Sequence, residues 1–389
     1  MKLRNAYKLK EVCSRLSSGK NIVAKNIFDK GDYPVYGSNG LRGYTFNKNF
    51  SGECTIIGRQ GAYCGNVRYF SGDAYMTEHA VVCVANEHAN NRYLSYLLSL
   101  MNLGRLSGQS AQPGISVQLL GEQLVYLPDV KTQNSVSKLL SELDDKIKVN
   151  NAINDNLQQL IDAIYSQWFE SFNFPNTNGK PYKQFGGEMI NVPQFKYEIP
   201  ANFKVASFLD VCFWETNSQP PKSEFIYEQK NGYVRFIQNR DYDSDSYKTY
   251  IPITKSLSIV DELDILMDKY GDAGKVRYGI NGAFNVALAK IGVHKSNAKE
   301  YIRSYLSSKA IYTFLHNSCM ASTRASLNED NLKPLFVTIP PDYLLDQFEN
   351  KAHKIRCKIL ENDKENRQLK AIRNELLPLL VNGQITIAD

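Results

Sequence analysis

The chain has 389 residues, 43% of them hydrophobic and 22% charged, with a formal net charge of +6. That length exceeds one typical domain and suits two or three, and the composition is that of an ordinary soluble globular protein. The mild positive charge permits nucleic-acid binding without announcing it, and no run approaches the roughly 20 apolar residues of a membrane span.

The polar start from Met1 to Lys10 carries no apolar signal segment. Tyr7–Val12 reads as a short strand or helix start, and Tyr33–Tyr36 leads into the turn Gly37-Ser38-Asn39-Gly40. Glu53–Ile57 reads as a buried strand running into the polar loop Gly58-Arg59-Gln60-Gly61-Ala62, with Gly65–Tyr69 the next strand. Ala80–Val84 is a further apolar run, Asn91–Leu103 has helical periodicity, Gln109–Ser116 is a loop, and Leu124–Leu127 a last strand before Pro128.

A long helix follows. From Gln133 to Phe169, apolar residues recur at alternating steps of four and three: Val136, Leu140, Leu143, Ile147, then Asn150 and Asn154, then Leu157, Ile161, Ile164 and Trp168. Such a seam needs a partner helix to bury it. The same pattern returns 212 residues later as Phe348, Ala352, Ile355, Ile359, Asn362, Asn366, Leu369, Arg373, Leu376 and Leu380, with the asparagines in the same slots and Pro340 standing where Pro128 stood. The helices can pair with each other, with another protein, or both. If they pair antiparallel, Asn150 comes opposite Asn366 and Asn154 opposite Asn362, an amide layer that fixes register. At about 1.5 Å per residue, such a helix holds its ends on the order of 50 Å apart and acts as a spacer. Pro378 is expected to kink or end its last turns.

Phe172–Gly179 reads as a helix-breaking linker, and residues 180 to about 195 as irregular polar chain. Residues from about 197 to 341 repeat the first domain's plan loosely. Tyr233–Phe236 precedes Ile237-Gln238-Asn239-Arg240, and Asp264–Met267 runs into Asp268–Asp272. Gly274–Tyr278 echoes Gly65–Tyr69 at an offset of 209, Tyr301–Phe314 matches the earlier helix, and Arg324–Leu327 stands where Gly114–Val117 stood. The chain is therefore domain, helix, domain, helix from an internal duplication. Close helix repeats with divergent domains suggest one scaffold presenting two recognition surfaces, although drift in two structural domains would leave the same pattern.

No catalytic constellation emerges. The nearest match to an amino-methyltransferase turn, Ile339-Pro340-Pro341-Asp342-Tyr343, lacks its leading amide, and no Walker loop occurs. Pro128-Asp129 with Asp144-Asp145-Lys146 satisfies a nuclease pattern only formally, because Asp144 and Lys146 fall on the solvent flank of the helix. The five histidines (79, 88, 294, 316, 353) have no nucleophile pattern beside them, and the seven cysteines lack zinc spacing and read as reduced thiols of a cytosolic protein.

The helix ends Ile164–Phe169 with Phe172-Asn173-Phe174-Pro175, and Leu376–Ile385, together with Tyr33–Gly40 and the loop Gly58–Gly61, resemble the specificity subunit of type I restriction–modification systems across essentially the whole chain. The second domain departs from the glycine-turn pattern. The resemblance implies an α+β fold: two mixed α/β target recognition domains, two long antiparallel coiled-coil helices between them, and a pseudo-twofold repeat. The corresponding division is 1–130, spacer helix 131–172, linker 173–196, 197–341, and spacer helix 342–389. It further implies a non-catalytic subunit reading a split double-stranded DNA target. Two methyltransferase subunits would dock on it, with motor-nuclease subunits reached through them, and S-adenosylmethionine, ATP and magnesium would belong to those partners.

Arginine suits guanine, and asparagine or glutamine suits adenine. The DNA-binding candidates are Ser38, Asn39, Arg42, Arg59, Gln60 and Tyr63 in the first domain, and Gln238, Asn239, Arg240, Lys269, Tyr270 and Arg324 in the second. Arg68 and Arg277 recur at equivalent places and read as scaffold or phosphate contacts. Asn150, Asn154, Trp168, Asn362, Asn366 and Leu380 are the candidates for helix pairing or partner docking. The rival readings are a self-sufficient methyltransferase or nuclease, and an interaction scaffold with no DNA role.

Overall fold

The computed structural model describes residues 4–108, 113–244, 247–320 and 326–387. They form two compact units, one of residues 1–150 with 365–389, the other of 151–364. Each unit thus takes one mixed domain together with part of both long helices, Val130–Tyr165 and Asp342–Val381. No helix among the described residues is long and apolar enough to cross a membrane.

The first unit is built on a six-stranded sheet in the order 13–18, 80–85, 50–58, 67–76, 33–37, 40–45. Neighbours are antiparallel except Tyr33–Gly37 beside Val67–Met76, where Val35 pairs with Tyr75 and Tyr36 with Met76 in parallel. Ala80–Ala85 lies between two strands and starts with four consecutive buried residues, as a central strand covered on both faces must. The hairpin at Gly37–Gly40 closes through Gly40 at φ +97°, a conformation that other residues rarely adopt. Asn5–Lys8 pairs separately with Leu124–Leu127.

The second unit repeats this topology strand for strand. The order 212–215, 288–293, 265–268, 276–277 corresponds to the first four strands above. Tyr233–Ile237 again lies parallel to its neighbour, Gly282–Phe284, and antiparallel to Tyr250–Pro252. Lys204–Ser207 pairs with Phe336–Ile339 as the outer strands of the first unit do. The difference is that two long strands are each broken: Val67–Met76 becomes Val276–Arg277 and Gly282–Phe284, with Gly279 at φ +92° between them, and Phe50–Gly58 becomes Ile259–Val260 and Ile265–Asp268. One six-stranded sheet is thereby split into two four-stranded ones.

Within each unit the long helices pack antiparallel. In the first, the Asn150 amide donates to Asn366 Oδ1 at 3.0 Å and to Glu365 Oε2 at 2.7 Å. In the second, Asn362 donates to Asn154 Oδ1 at 2.8 Å, and Asn154 to Asp363 Oδ1 at 2.8 Å. Every residue of the two heptad seams is buried or half-buried. Ile161, Tyr165, Trp168 and Phe169 join Phe348 and Ala352 in the core of the second unit, and Val136, Leu140, Leu380 and Val381 join the core of the first.

Four expectations change. The helix from Asp342 runs through Pro378, which gives up the bond to the Asn374 carbonyl one turn back, and ends within a turn at Val381. The helix expected at Tyr301–Phe314 is two, Lys299–Ser307 and Lys309–Met320, broken at Ser308 in extended conformation. The stretch read as a linker is packed: Phe172 and Phe174 are buried, Phe174 stacking on Tyr182 at 4.6 Å and on Phe203 at 5.4 Å. Asp144 is not on an open flank; it accepts from the Tyr96 hydroxyl at 2.6 Å and from Arg373 at 2.8 Å.

Each domain docks on its share of the helices through charge. In the first unit Arg92 donates to Asp145 at 3.0 Å while lying 4.9 Å over the Tyr69 ring. In the second, buried Glu300 accepts from Arg303 at 3.0 Å and from Arg356 at 3.2 Å, and Arg356 continues to Gln158 at 2.6 Å and to the Tyr278 hydroxyl at 2.8 Å. Removing one member of such a buried set leaves a charge uncompensated. Glu300→Gln, which takes the shared acid from two buried guanidinium groups, is expected to cost about 3 kcal/mol in urea denaturation. Replacing Glu300, Arg303 and Arg356 together by apolar residues is expected to cost less than that single change.

Candidate nucleic-acid interface

In the first unit four loops converge at one end of the sheet, and backbone hydrogen bonds hold them. Gly58 N–H donates to Asn66 O and Gly65 N–H to Gly58 O, both at 2.8 Å, closing the loop 58–66. Arg59 N–H reaches His79 O at 2.9 Å and Ile115 N–H reaches Arg59 O at 3.0 Å, joining that loop to the turn at 77–79 and to the segment before Val117. Thr77 N–H donates to Tyr36 O at 2.9 Å, bringing in the glycine hairpin.

The second unit makes the corresponding bonds with other residues. Asp268 N–H donates to Lys275 O and Gly274 N–H to Asp268 O, each at 2.9 Å. Lys269 N–H reaches Ala287 O at 2.8 Å, Leu327 N–H reaches Lys269 O at 2.9 Å, and Asn285 N–H reaches Ile237 O at 3.0 Å. Glycines with positive φ recur at matched places, Gly61 with Gly271 and Gly65 with Gly274. The backbone cradle is thus duplicated while the side chains on it differ. Arg59 matches Lys269, Gln60 matches Tyr270, and Ser38 matches Asn239.

This cradle brings Ser38, Arg59 and Gln60 together. The Ser38 hydroxyl donates to His79 O at 2.7 Å and accepts from the N–H groups of Arg59 and Gln60 at 3.1 and 3.0 Å, which uses its full capacity. Arg59 is half-buried, with Nη1 3.3 Å from Ser18 Oγ. Asn39, Arg42, Gln60 and Tyr63 are exposed. Arg68 donates to Ser38 O at 3.2 Å and so supports the hairpin.

In the second unit Gln238 donates to Thr249 Oγ1 at 3.2 Å and Asn239 to Asp268 Oδ1 at 3.0 Å. Arg277 grips the other oxygen of Asp268 through Nε and Nη2 at 3.0 and 2.9 Å. Burial pushes the Asp268 carboxyl up from its ordinary value, against the opposing pull of Arg277. Lys269 is half-buried, whereas Arg240 and Tyr270 are exposed. Arg324 lies outside the described residues. Of the helix candidates, Trp168 packs against Phe348 at 6.2 Å between ring centres, and Leu380 is buried in the first unit's core.

One pair on the cradle has no counterpart among the sequence candidates. Glu78 Oε1 lies 3.1 Å from His79 Nε2 in the turn whose carbonyls hold Ser38 and Arg59. Aligning the two halves through their backbone bonds puts Val286-Ala287 at these places, a divergence that an offset of 208 exposes in the sequence. Among the described residues no group of three or more His, Cys, Asp or Glu side chains could hold a metal ion.

The model for the type I restriction modification DNA specificity domain matches residues 2–159 and 200–370. The EcoprrI type I restriction enzyme specificity subunit of Escherichia coli is 38% identical over 134 residues, a match spanning 33% of this chain and a third (33%) of that subunit. The MjaIX specificity subunit of Methanocaldococcus jannaschii is 25% identical over 321 residues, covering 77% of this chain and 70% of that one. The crystal structure of a type I restriction–modification S subunit from M. genitalium shares the fold at a TM-score of 0.66 and 13% identity, over 97% of this chain and 96% of that one. With the family model matching both halves over most of its length, the chain belongs to the type I restriction–modification DNA specificity family.

Proposed function

We propose that this chain is the DNA-reading subunit of a type I restriction–modification complex, each domain reading one half of a bipartite target. The observation that carries the reading is the duplicated loop cradle with divergent, partly exposed side chains. A constant backbone presenting different polar groups is what two half-sites of different sequence require. Asn39, Arg42, Arg59, Gln60 and Tyr63 are the contacts proposed for the first half-site, and Arg240, Lys269, Tyr270 and Arg324 those for the second. Ser38, Gln238 and Asn239 act mainly by holding the loops.

The paired helices set the gap between half-sites, because readers fixed to rigid elements select matching spacings. Their outer faces, with Val149, Ile153, Leu160 and Ile372 exposed, dock two methyltransferase subunits, through which motor-nuclease subunits join. The chain does no chemistry. S-adenosylmethionine, ATP and magnesium bind those partners, and the complex works in the cytoplasm.

Three outcomes test this. Single-molecule methylation sequencing of host DNA with and without the gene is expected to show one bipartite motif lost; an unchanged methylome removes the reading. Seven residues inserted into each long helix are expected to change the gap and leave both half-sites intact, and unchanged spacing sinks the ruler role. Calorimetry of the purified chain with S-adenosylmethionine is expected to give no binding heat, and methyl transfer by the chain alone would establish the enzyme reading instead.

A further inference from the structure

The Glu78–His79 turn is the place where the two cradles differ most in chemistry. Its backbone bonds are those of the second unit: Ala80 N–H donates to Thr77 O at 3.0 Å, as Leu288 N–H does to Asn285 O at 3.1 Å. On that shared backbone the first unit carries an acid and an imidazole, and the second carries Val286 and Ala287.

Scaffold needs do not account for the pair. The turn's structural work is done by its carbonyls, which accept from Ser38 Oγ, Arg59 N–H and Arg59 Nη1, and these any residue supplies. The two side chains remain 33% and 39% exposed at the loop surface. They meet through Glu78 Oε1 and His79 Nε2, while Glu78 Oε2 and His79 Nδ1 have neither solvent nor a hydrogen-bond partner among the described residues. A polar atom left so costs stability unless something supplies its partner. A carboxylate has only acceptor capacity, and in the major groove the bases that offer it a donor are cytosine, through N4, and adenine, through N6. Val286 and Ala287 can offer only apolar contact, such as that with a thymine methyl.

We infer that Glu78 is a specificity-determining residue of the first domain, accepting a hydrogen bond from the exocyclic amino group of a cytosine or adenine in its half-site. His79 orients the carboxylate through Nε2, and contact with the base requires the carboxylate to turn Oε2 out of its buried position. The turn at Val286-Ala287 makes no polar base contact. This rests on the bipartite reading proposed above.

Methylation sequencing of cells carrying the wild-type gene, Glu78→Gln or Glu78→Ala, with the partner subunits present, separates the two ideas. No bipartite motif with the wild-type gene removes the underlying reading. Given that motif, the expected result is that one C·G or A·T position in one half-site becomes degenerate by at least tenfold in Glu78→Ala. In Glu78→Gln that position is relaxed or changed, while the other half-site and the gap stay fixed. Wild-type half-sites in both variants overturn the inference. Methylation lost at every site in both variants, or lost in Glu78→Ala and wholly wild-type in Glu78→Gln, places Glu78 in the scaffold and overturns it as well.

Discussion

The amide contacts between the two long helices are the constraint from which the rest follows. Asn150 meets Asn366 in the first unit and Asn362 meets Asn154 in the second. In a seam otherwise apolar except for Arg373 these pairs contribute little net stability. Their effect is on the alternatives: a helix slipped by one turn pairs only one asparagine from each helix and leaves the other two amides without their partners. Acidic neighbours reinforce the register, because Glu365 and Asp363 accept the same amide donors.

On that register each domain is seated by charge, partly exposed in the first unit and buried in the second, and the polarity differs between the units. In the first, the central helix offers Asp145 to Arg92 and Asp144 to the Tyr96 hydroxyl. In the second, the C-terminal helix offers Arg356 to Glu300. The seat is acidic in the first unit and basic in the second, so each complements the charge its own domain presents.

The domains show how far side chains can diverge on one backbone. The bonds from Arg59 to His79 and from Lys269 to Ala287 are the same bond in chemical terms. Peptide groups carry the scaffold, which leaves the side chains free to vary. The breaks in the two long strands of the second unit are the larger change, and Tyr278, beside one of them, takes a hydrogen bond from Arg356.

The heptad seams and their repetition 212 residues apart were legible in the sequence, because a 3.5-residue apolar period needs a partner helix; whether the two copies bury against each other or against another protein was left open there, and the structure pairs them antiparallel within each unit. The duplication of the domains was legible in Gly65–Tyr69 and its echo Gly274–Tyr278 at an offset of 209, where positive φ at the leading glycine restricts the place to few residues. The sequence did not reveal that Ser38 and Asn239 spend their polar groups inside the loops, or that Glu78 and His79 stand beside Arg59. Those facts depend on bonds between segments some 20 to 50 residues apart, such as Ser38 to His79 and Asn239 to Asp268. Hydrophobic period is a local property and survives in one dimension. Which polar atoms remain available to a ligand is settled by which others the fold has already paired, and that was decided only in the tertiary structure.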